Sequence, residues 1–415
     1  GLNSLNEALR SRGSKLIVRQ GDPHLILQKL RSEIEVDAIY AEEDFSPYAF
    51  RRDQSIASIL PVHLVSGLTI RHPASVLKPD GRPYTVFTPF SRAWKALPLP
   101  SKQDILPAPA HIPLPDKIHS ETFPEYLTSD LFPAGESEAL RRLDAFLAGS
   151  LFQYTDDRNR MDLDGTSMLS PYFRFGMLSA RQAVAAALAA RNTLKTNLDF
   201  KAVETWINEL IWREFYISIL YHFPEVLRTA FNPGLRNIQW RQSAQDLLAW
   251  QDGCTGYPVV DAAMRQLRQT GWMHNRTRMI VASFLVKDLL INWQEGERWF
   301  MAHLIDGDPA ANNGGWQWTA GVGTDAAPYF RIFNPVLQSV RFDPRGEYIR
   351  HWVPELQNVP SDSIHHPWQM TLDEQRKYGC MIGVDYPNPI VEHIQAKNRV
   401  LETYRLSQEL FKAQN

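Results

Sequence analysis

The stretch "IDGDPAANNGGWQWTAGVGTDAAPYFRIFNP", Ile305 to Pro335, gathers side chains that can do chemistry. Asp306 and Asp308 stand two apart and are followed by Asn312, Asn313, Gly314, Gly315, Trp316 and Trp318. Two close acids are a weak Mg²⁺ signal, and the further carboxylates of a Ca²⁺ loop are missing, so no metal site is expected. Paired glycines fit a close backbone approach to something flat or bulky. With hardly any helical pattern, the stretch is expected as a loop wrapped around such a group. A tight interhelical turn is the alternative, but it does not account for so many polar side chains.

Three other constellations carry chemistry. "DGTSMLSPYFRFG", Asp164 to Gly176, places Thr166, Ser167 and Ser170 at an expected helix start, where hydroxyls and free N–H groups suit a phosphate or serve as a plain N-cap. In "ETWINELIWREFY", Glu204 to Tyr216, helical spacing puts Trp206, Glu209 and Arg213 on one face and Asn208, Trp212 and Tyr216 on the next. That stripe is polar for a core and aromatic for a surface, and fits either a site or a half-buried helix with an internal ion pair. In "TGWMHNRTRMIVASFLVKDLLINW", Thr270 to Trp293, Arg276, Arg278 and Lys287 bring positive charge near Trp272 and His274. Basic residues among aromatics suit a nucleic-acid groove, whereas His274 alone reads as a packed or capping residue.

The elements that must hold these residues fall into two kinds. "SKLIVRQ", Ser14 to Gln20, and "VDAIYAEED" are β-rich runs on either side of a helix that opens on Asp22 and Pro23, and "VHLVSGLTI" is a third run. Strand, helix, strand spells a parallel α/β unit, with a short helix expected ahead of it. A Pro-rich stretch follows, and after Glu136 the 3.6-residue period takes over, ending in one long run from Arg278 to Ile305. The expected organisation is an α/β domain over 1–95, an extended linker over 96–134 and a large all-α domain over 135–415. The 415 residues, 44% hydrophobic and 22% charged, have ordinary globular composition. The two cysteines, Cys254 and Cys380, exclude a disulfide framework and fit a reducing compartment. No apolar run spans a membrane and no signal peptide opens the chain, so a cytoplasmic protein is expected. A net charge of −2 confines any nucleic-acid contact to a local basic patch. Dinucleotide-fold, P-loop, zinc-protease and nucleophile-elbow motifs are all absent, which leaves hydrolysis by a metal or a serine triad without support.

"WINELIWREFY", "GYPVVDAAMRQL", "TGWMHNRTRMIVASFLVKDLLINW" and "DGDPAANNGGWQWTAGVGTDAAPYFRIFNP", in this order, resemble the photolyase–cryptochrome family over nearly the whole chain. The resemblance points to a class I cyclobutane pyrimidine dimer photolyase that holds FAD, active as FADH⁻, inside its helical domain. It implies that Tyr154, Thr166, Ser167 and Ser170 hold the FAD phosphates and ribose, that Trp206, Glu209, Arg213 and Trp272 line the cavity, and that Arg278 and Asp306 pair against the isoalloxazine. Asp308 would meet the flavin edge or ribose, and Asn312 would face N5. A UV-induced dimer flipped out of DNA would stack between Trp212 and Trp318, with Glu209 hydrogen-bonded to it, Asn275 and Met279 completing the pocket and Arg276 on a phosphate. Trp316, Trp293 and Trp240 match the family's electron-hopping chain, implying indoles within van der Waals range of each other. Light would drive one electron from FADH⁻ to the dimer, the two cyclobutane bonds would split and the electron would return.

Asn275 and Met279 stand where (6-4) photolyases carry histidines, and Asn312 stands where plant cryptochromes carry an acid and animal ones a cysteine. Both stacking tryptophans are kept. These positions favour dimer repair over a cryptochrome-like photoreceptor without repair activity; repair confined to single strands and an inert helical protein stay open, to be separated by duplex substrate and by bound flavin, and a monomer is expected. The family's opening strand and "WFRRDLR"-like segment are missing, which implies an N-terminally truncated antenna-type domain. "AEEDFSPYAFRRD", Ala41 to Asp53, lacks the folate pattern, and no firmly bound antenna chromophore is expected.

Overall fold

A computed structural model describes residues 1–115, 118–123, 131–191 and 197–414. The chain forms two compact units, Gly1–Thr155 with Ser167–Pro224, and Asp156–Thr166 with Glu225–Asn415. This division runs differently from the expected ranges 1–95, 96–134 and 135–415, because the first helices of the all-α region group with the N-terminal elements. Parts of the expected linker, 116–117 and 124–130, lie outside the described residues.

The first unit contains α1 (Leu2–Arg10), α2 (Pro23–Glu33), β1 (Ile39–Glu42), α3 (Pro47–Ala57), β2 (Val62–Val65), α4 (Phe87–Ala96), α5 (Glu136–Ala148), the start of α6 (Tyr154–Asp157), α7 (Ser170–Arg174), α8 (Ala180–Arg191) and α9 (Asn197–His222). Asp22 accepts from the Leu25 N–H and Pro23 sits in the first turn, as the sequence implies for α2. β1 and β2 pair in parallel, Ile39 opposite Val62 and Glu42 opposite Val65, with α3 as the crossover. The expected strand Ser14–Gln20 does not form. Its amides turn to other partners: the Leu16 N–H donates to Asn6 Oδ1, the Val18 N–H to Ser120 Oγ, and the Val18 carbonyl accepts from Glu121. A β-rich run without a neighbouring strand has no ladder to join.

One buried carboxylate ties α9 to the N-terminal elements. Glu214 accepts from the Ile70 N–H, from the Arg71 N–H at 3.2 Å and from Trp94 Nε1 at 2.6 Å. Burial raises its pKa, and these donors work in the opposite direction. Phe90 packs on Phe215 beside it, 5.3 Å between ring centres. Thus α4, which runs up to the expected domain boundary at residue 95, is bolted onto the helix that carries Trp206, Glu209 and Trp212.

The second unit contains α10 (Ala244–Asp252), α11 (Pro258–Thr270), α12 (Asn275–Ser283), α13 (Trp293–His303), α14 (Pro309–Ala320), α15 (Pro335–Phe342), α16 (Glu347–Trp352), α17 (Ser361–Ile364), α18 (Leu372–Tyr378) and α19 (His393–Gln414). α11 runs through the core, with Val260, Ala262, Ala263, Met264 and Leu267 buried. Two expectations change here. The single run Arg278–Ile305 is broken: α12 passes into one wide π-type turn, Phe284–Asp288, Leu290 takes φ +53°, and Asn292 caps a new helix through the Gln294 N–H at 3.1 Å. Such a break inside an apolar run leaves no trace in its periodicity.

The second change concerns Ile305–Pro335. Most of its chemistry-bearing residues lie on α14, a helix and not a loop. Asp308 accepts from the Ala311 N–H at 2.8 Å, Pro309 starts the first turn, and Gly321 closes the other end in the left-handed region. Each interior glycine costs a helix about 1 kcal/mol relative to Ala. Side-chain anchors offset this: Gln317 donates to the Val226 carbonyl and to Asn313 Oδ1, and Asn313 donates to the Val226 carbonyl.

Candidate functional site

On the first unit, α9 presents Trp206 deep in the core and Glu209, Trp212 and Arg213 half-buried. Trp206 Nε1 donates to Ser167 Oγ over 3.4 Å, and Phe146 lies between the Trp206 and Tyr154 rings, 5.3 Å and 5.7 Å from them. The structure therefore brings Tyr154, Ser167 and Trp206 together. Leu169, not a hydroxyl residue, holds the N-cap of α7, and its side chain makes no cap bond. The N-cap reading of Thr166, Ser167 and Ser170 is thereby lost. Arg213 donates to the Leu68 carbonyl at 2.8 Å.

On the second unit, α12 and the turn before α14 meet through an ion pair. Arg278 Nη2 lies 2.8 Å from Asp306 Oδ2, and Arg278 Nε donates to the Met273 carbonyl. The Asp306 side chain is 2% exposed, and its Oδ1 is buried without a hydrogen-bond partner among the described residues. His274 caps α12 by accepting from the Arg276 N–H at its Nδ1. Asn275 is exposed and Met279 half-buried. Arg276 donates to Asn159 Oδ1 and lies over the Phe342 ring at 4.5 Å. Burial, then the nearby charges of Arg158 and Arg341, lower its pKa to about 10, so it stays cationic at neutral pH in a crowd of like charges that an anion would relieve. Lys287 is not part of this patch. It is buried, donates to the Ala320 carbonyl at the end of α14, and sits 3.9 Å over the Tyr404 ring.

Asn312 Nδ2 donates to the Glu297 carbonyl at 3.0 Å, which fixes the amide and leaves its oxygen as the acceptor. Asp308 serves first as the cap of α14. Trp316 is buried; among the described residues its Nε1 has no partner, and its ring neighbours are Trp250 at 6.1 Å and Phe300 at 5.0 Å. Trp240 meets Tyr404 at 6.1 Å. Among the described residues no close ring-centroid pair joins Trp316, Trp293 and Trp240 to one another. Gly296, one turn beyond Trp293, presents bare backbone to the Trp316 indole, and a Cβ there would lie 2.0 Å from Cη2. Gly296→Ala is expected to lower stability by about 1–3 kcal/mol through overpacking, with partial recovery in Gly296→Ala/Trp316→Phe. Denaturation of the two variants checks this, and full stability of the single variant would refute the packing argument.

A family model described as the FAD binding domain of DNA photolyase matches residues 206–406, and one described as DNA photolyase matches residues 1–110. A curated relative from Alkalihalophilus pseudofirmus, named deoxyribodipyrimidine photo-lyase, is 41% identical over 413 residues, covering 96% of this chain and 85% of that protein. The chain belongs to the photolyase/cryptochrome family. Within it, likeness of about 40% over nearly the whole length to several proteins of that name makes this an enzyme of the DNA photolyase type, built on an α/β domain and a helical FAD-binding domain. Among solved structures, a bacterial class III photolyase from Agrobacterium tumefaciens superposes with a TM-score of 0.91 at 37% identity, covering 99% of this chain and 87% of that one. A cryptochrome from Synechocystis superposes with a TM-score of 0.86 at 32% identity, covering 97% and 86%.

The photolyase-type residues present fit a flavin on one observation above all. A buried carboxylate oxygen without a donor, beside an arginine already engaged, suits a ligand that brings its own N–H. Residues the sequence did not single out also shape this region. Glu297 binds Asn312 through its carbonyl and Asn313 through its carboxylate, and burial raises its pKa. The signals were a glycine and an acid in "WQEGERW", one turn beyond Trp293, with nothing in the chain to say what they faced.

Proposed function

We propose that this chain repairs cyclobutane pyrimidine dimers in DNA under light. The observation that carries the reading is the buried Arg278–Asp306 pair with Asp306 Oδ1 unpartnered, inside the region that matches the FAD-binding family. When bound and reduced, FAD supplies the electron that light drives into the dimer. The chain's own residues do the rest. Asp306 and Arg278 hold the polar edge of the ring system. Asn312, pinned by the Glu297 carbonyl, offers a neutral oxygen to an N–H without setting a charge beside an anion. Ser167 and Tyr154 belong to the end of the ligand that carries phosphate and ribose.

Trp212 and Trp318 each offer an indole to the extruded bases. Extrusion costs a few kcal/mol, less for a damaged step, and stacking returns about 1–3 kcal/mol per base. Glu209 hydrogen-bonds the dimer, and Asn275 and Met279 are assigned to dimer binding by the family resemblance. Arg276, crowded by Arg158 and Arg341, holds a phosphate and positions the strand without reading its sequence. By the family resemblance, Trp316, Trp293 and Trp240 would relay electrons from a reductant in solution towards oxidised flavin. Asn312, Asn275 and Met279 favour dimer repair over (6-4) repair or signalling by the family resemblance, and a cryptochrome-like photoreceptor is the second reading, supported by the likeness to the Synechocystis structure.

The test is repair by the reduced, flavin-loaded protein of an oligonucleotide with a single thymine dimer, followed by thymine absorbance in blue light and in darkness. Recovery in light alone is expected. Flavin binding without recovery would favour the photoreceptor, and a protein that binds no flavin would overturn both readings.

A further inference from the structure

The faces of Trp212 are not equivalent. Phe87, the first residue of α4, lies flat against one of them, with ring centres 3.7 Å apart and planes 4° from parallel. Phe215 meets the same indole edge-on at 5.6 Å, and Tyr216 tilts against it at 5.6 Å. Phe87 itself touches Phe215 edge-on at 5.9 Å. Both Phe87 and Trp212 remain half-buried, so the stack stands at the surface of its unit and not in its core.

The stack is set by anchors on either side. α4 is held on α9 by Trp94 Nε1 donating to Glu214 at 2.6 Å and by Lys95 pairing with Glu204 at 2.7 Å. These contacts lie two turns or more from Phe87, so the ring is delivered to Trp212 by a fixed helix and does not drift there as a loop side chain would. A surface indole normally has several rotamers, and each side chain immobilised on binding weakens the complex. Here that freedom has been removed before any ligand arrives.

We propose that Phe87 is a positioning residue for lesion binding: it closes one face of Trp212 and locks the indole, so that an extruded base stacks on the opposite face as the third layer. The proposal rests on the reading that Trp212 stacks the dimer. It also makes α4, outside the matched FAD-binding region, part of the DNA-recognition apparatus.

The experiment compares Phe87→Leu, which keeps apolar bulk but removes the flat ring, with Phe87→Tyr, which keeps the ring, and with Trp212→Ala. Binding of a dimer-containing and an undamaged oligonucleotide is measured on the flavin-loaded protein, alongside flavin content, thermal midpoint and repair yield at saturating substrate. The proposal expects Phe87→Leu to bind the dimer about threefold to tenfold more weakly, the range set by losing one pre-ordered side chain. Binding of undamaged DNA, flavin content and yield at saturation stay unchanged, and Phe87→Tyr restores wild-type affinity. Unchanged or tighter dimer binding by Phe87→Leu, with Trp212→Ala still weakened, overturns the proposal and leaves the stacking reading standing. A joint fall in midpoint, flavin content and both affinities assigns Phe87 to packing and overturns it too. If Trp212→Ala binds the dimer normally, the stacking reading itself falls and takes the proposal with it.

Discussion

Replacing Arg278 by Met is expected to cost about 3 kcal/mol of stability and to strip the protein of flavin. The reason is asymmetry in the pair. Asp306 is 2% exposed, and one of its oxygens already lacks a donor, so removing the guanidinium leaves a buried carboxylate with no partner at all. Breaking a buried pair from one side costs about 3–5 kcal/mol, and the lower end applies because the Arg278 side chain keeps 24% of its surface in solvent. The change also removes the Arg278 hydrogen bond to the Met273 carbonyl in the turn before α12. Arg278→Met/Asp306→Asn is expected to recover much of the stability, since an amide is far less costly to bury than an unpaired charge. It should not recover flavin retention. Denaturation curves and flavin absorbance on wild type, both single variants and the double variant close the cycle. Recovery of flavin together with stability would mean that the pair serves the fold alone.

Acid is expected to unlock the same region through His274. Burial first, then the charges of Arg276 and Arg278, lower the His274 pKa to about 4. Its Nδ1 must be neutral to accept the Arg276 N–H and cap α12. Between about pH 4 and 6.5 the unfolded chain therefore takes up a proton that the folded chain refuses. The stability carried by this group is complete above about pH 6.5 and is lost as pH falls, about 3 kcal/mol in all at about 1.4 kcal/mol per pH unit. Asp288 and Asp343 act in the opposite sense. Burial raises each to about 6, so their contribution is present below about pH 4 and is lost as pH rises towards 6. The wild-type profile mixes these slopes, and the difference from a variant isolates one of them. His274→Asn keeps an N-cap acceptor that does not titrate. It is expected to cost about 1 kcal/mol at pH 7.5 and to unfold with a shallower loss of stability between pH 6.5 and 5. Denaturant titrations at three pH values would settle it, and parallel profiles for the two proteins would contradict the assignment.

The family was legible because its motifs are long and their order is fixed, and the helices were legible wherever one face is apolar. Asp22 with Pro23 marked α2, and the period-3.6 stripes marked α5, α8, α9 and α11. The Arg278–Asp306 pair was also foreseen, though through the resemblance and not through spacing. The signals for α14 were present as well, Asp308 and Pro309 at one end and Gly321 at the other, but Ala-Ala-Asn-Asn-Gly-Gly between them has neither apolar period nor helix propensity. What makes it a helix is tertiary: Val226 and Glu297 supply the partners that Asn312, Asn313 and Gln317 hold.

Pairings between distant segments were beyond the sequence, because each partner alone reads as something ordinary. Ser14–Gln20 has strand composition, yet its amides bond to Asn6 and Ser120. Lys287 reads as part of a basic groove, but the wide turn at Phe284–Asp288 carries it into the core. Gly296 carries no signal in the sequence of the Trp316 indole that packs against it. Phe87, at the start of α4, carries no signal of its own in the sequence, and the packing of α4 on α9 lays it flat on Trp212. Residue types and local spacing determined which chemistry this protein carries. Which faces of those residues stay open to a ligand was decided by contacts between segments far apart in the chain, since periodicity records which side of an element is buried and not what buries it.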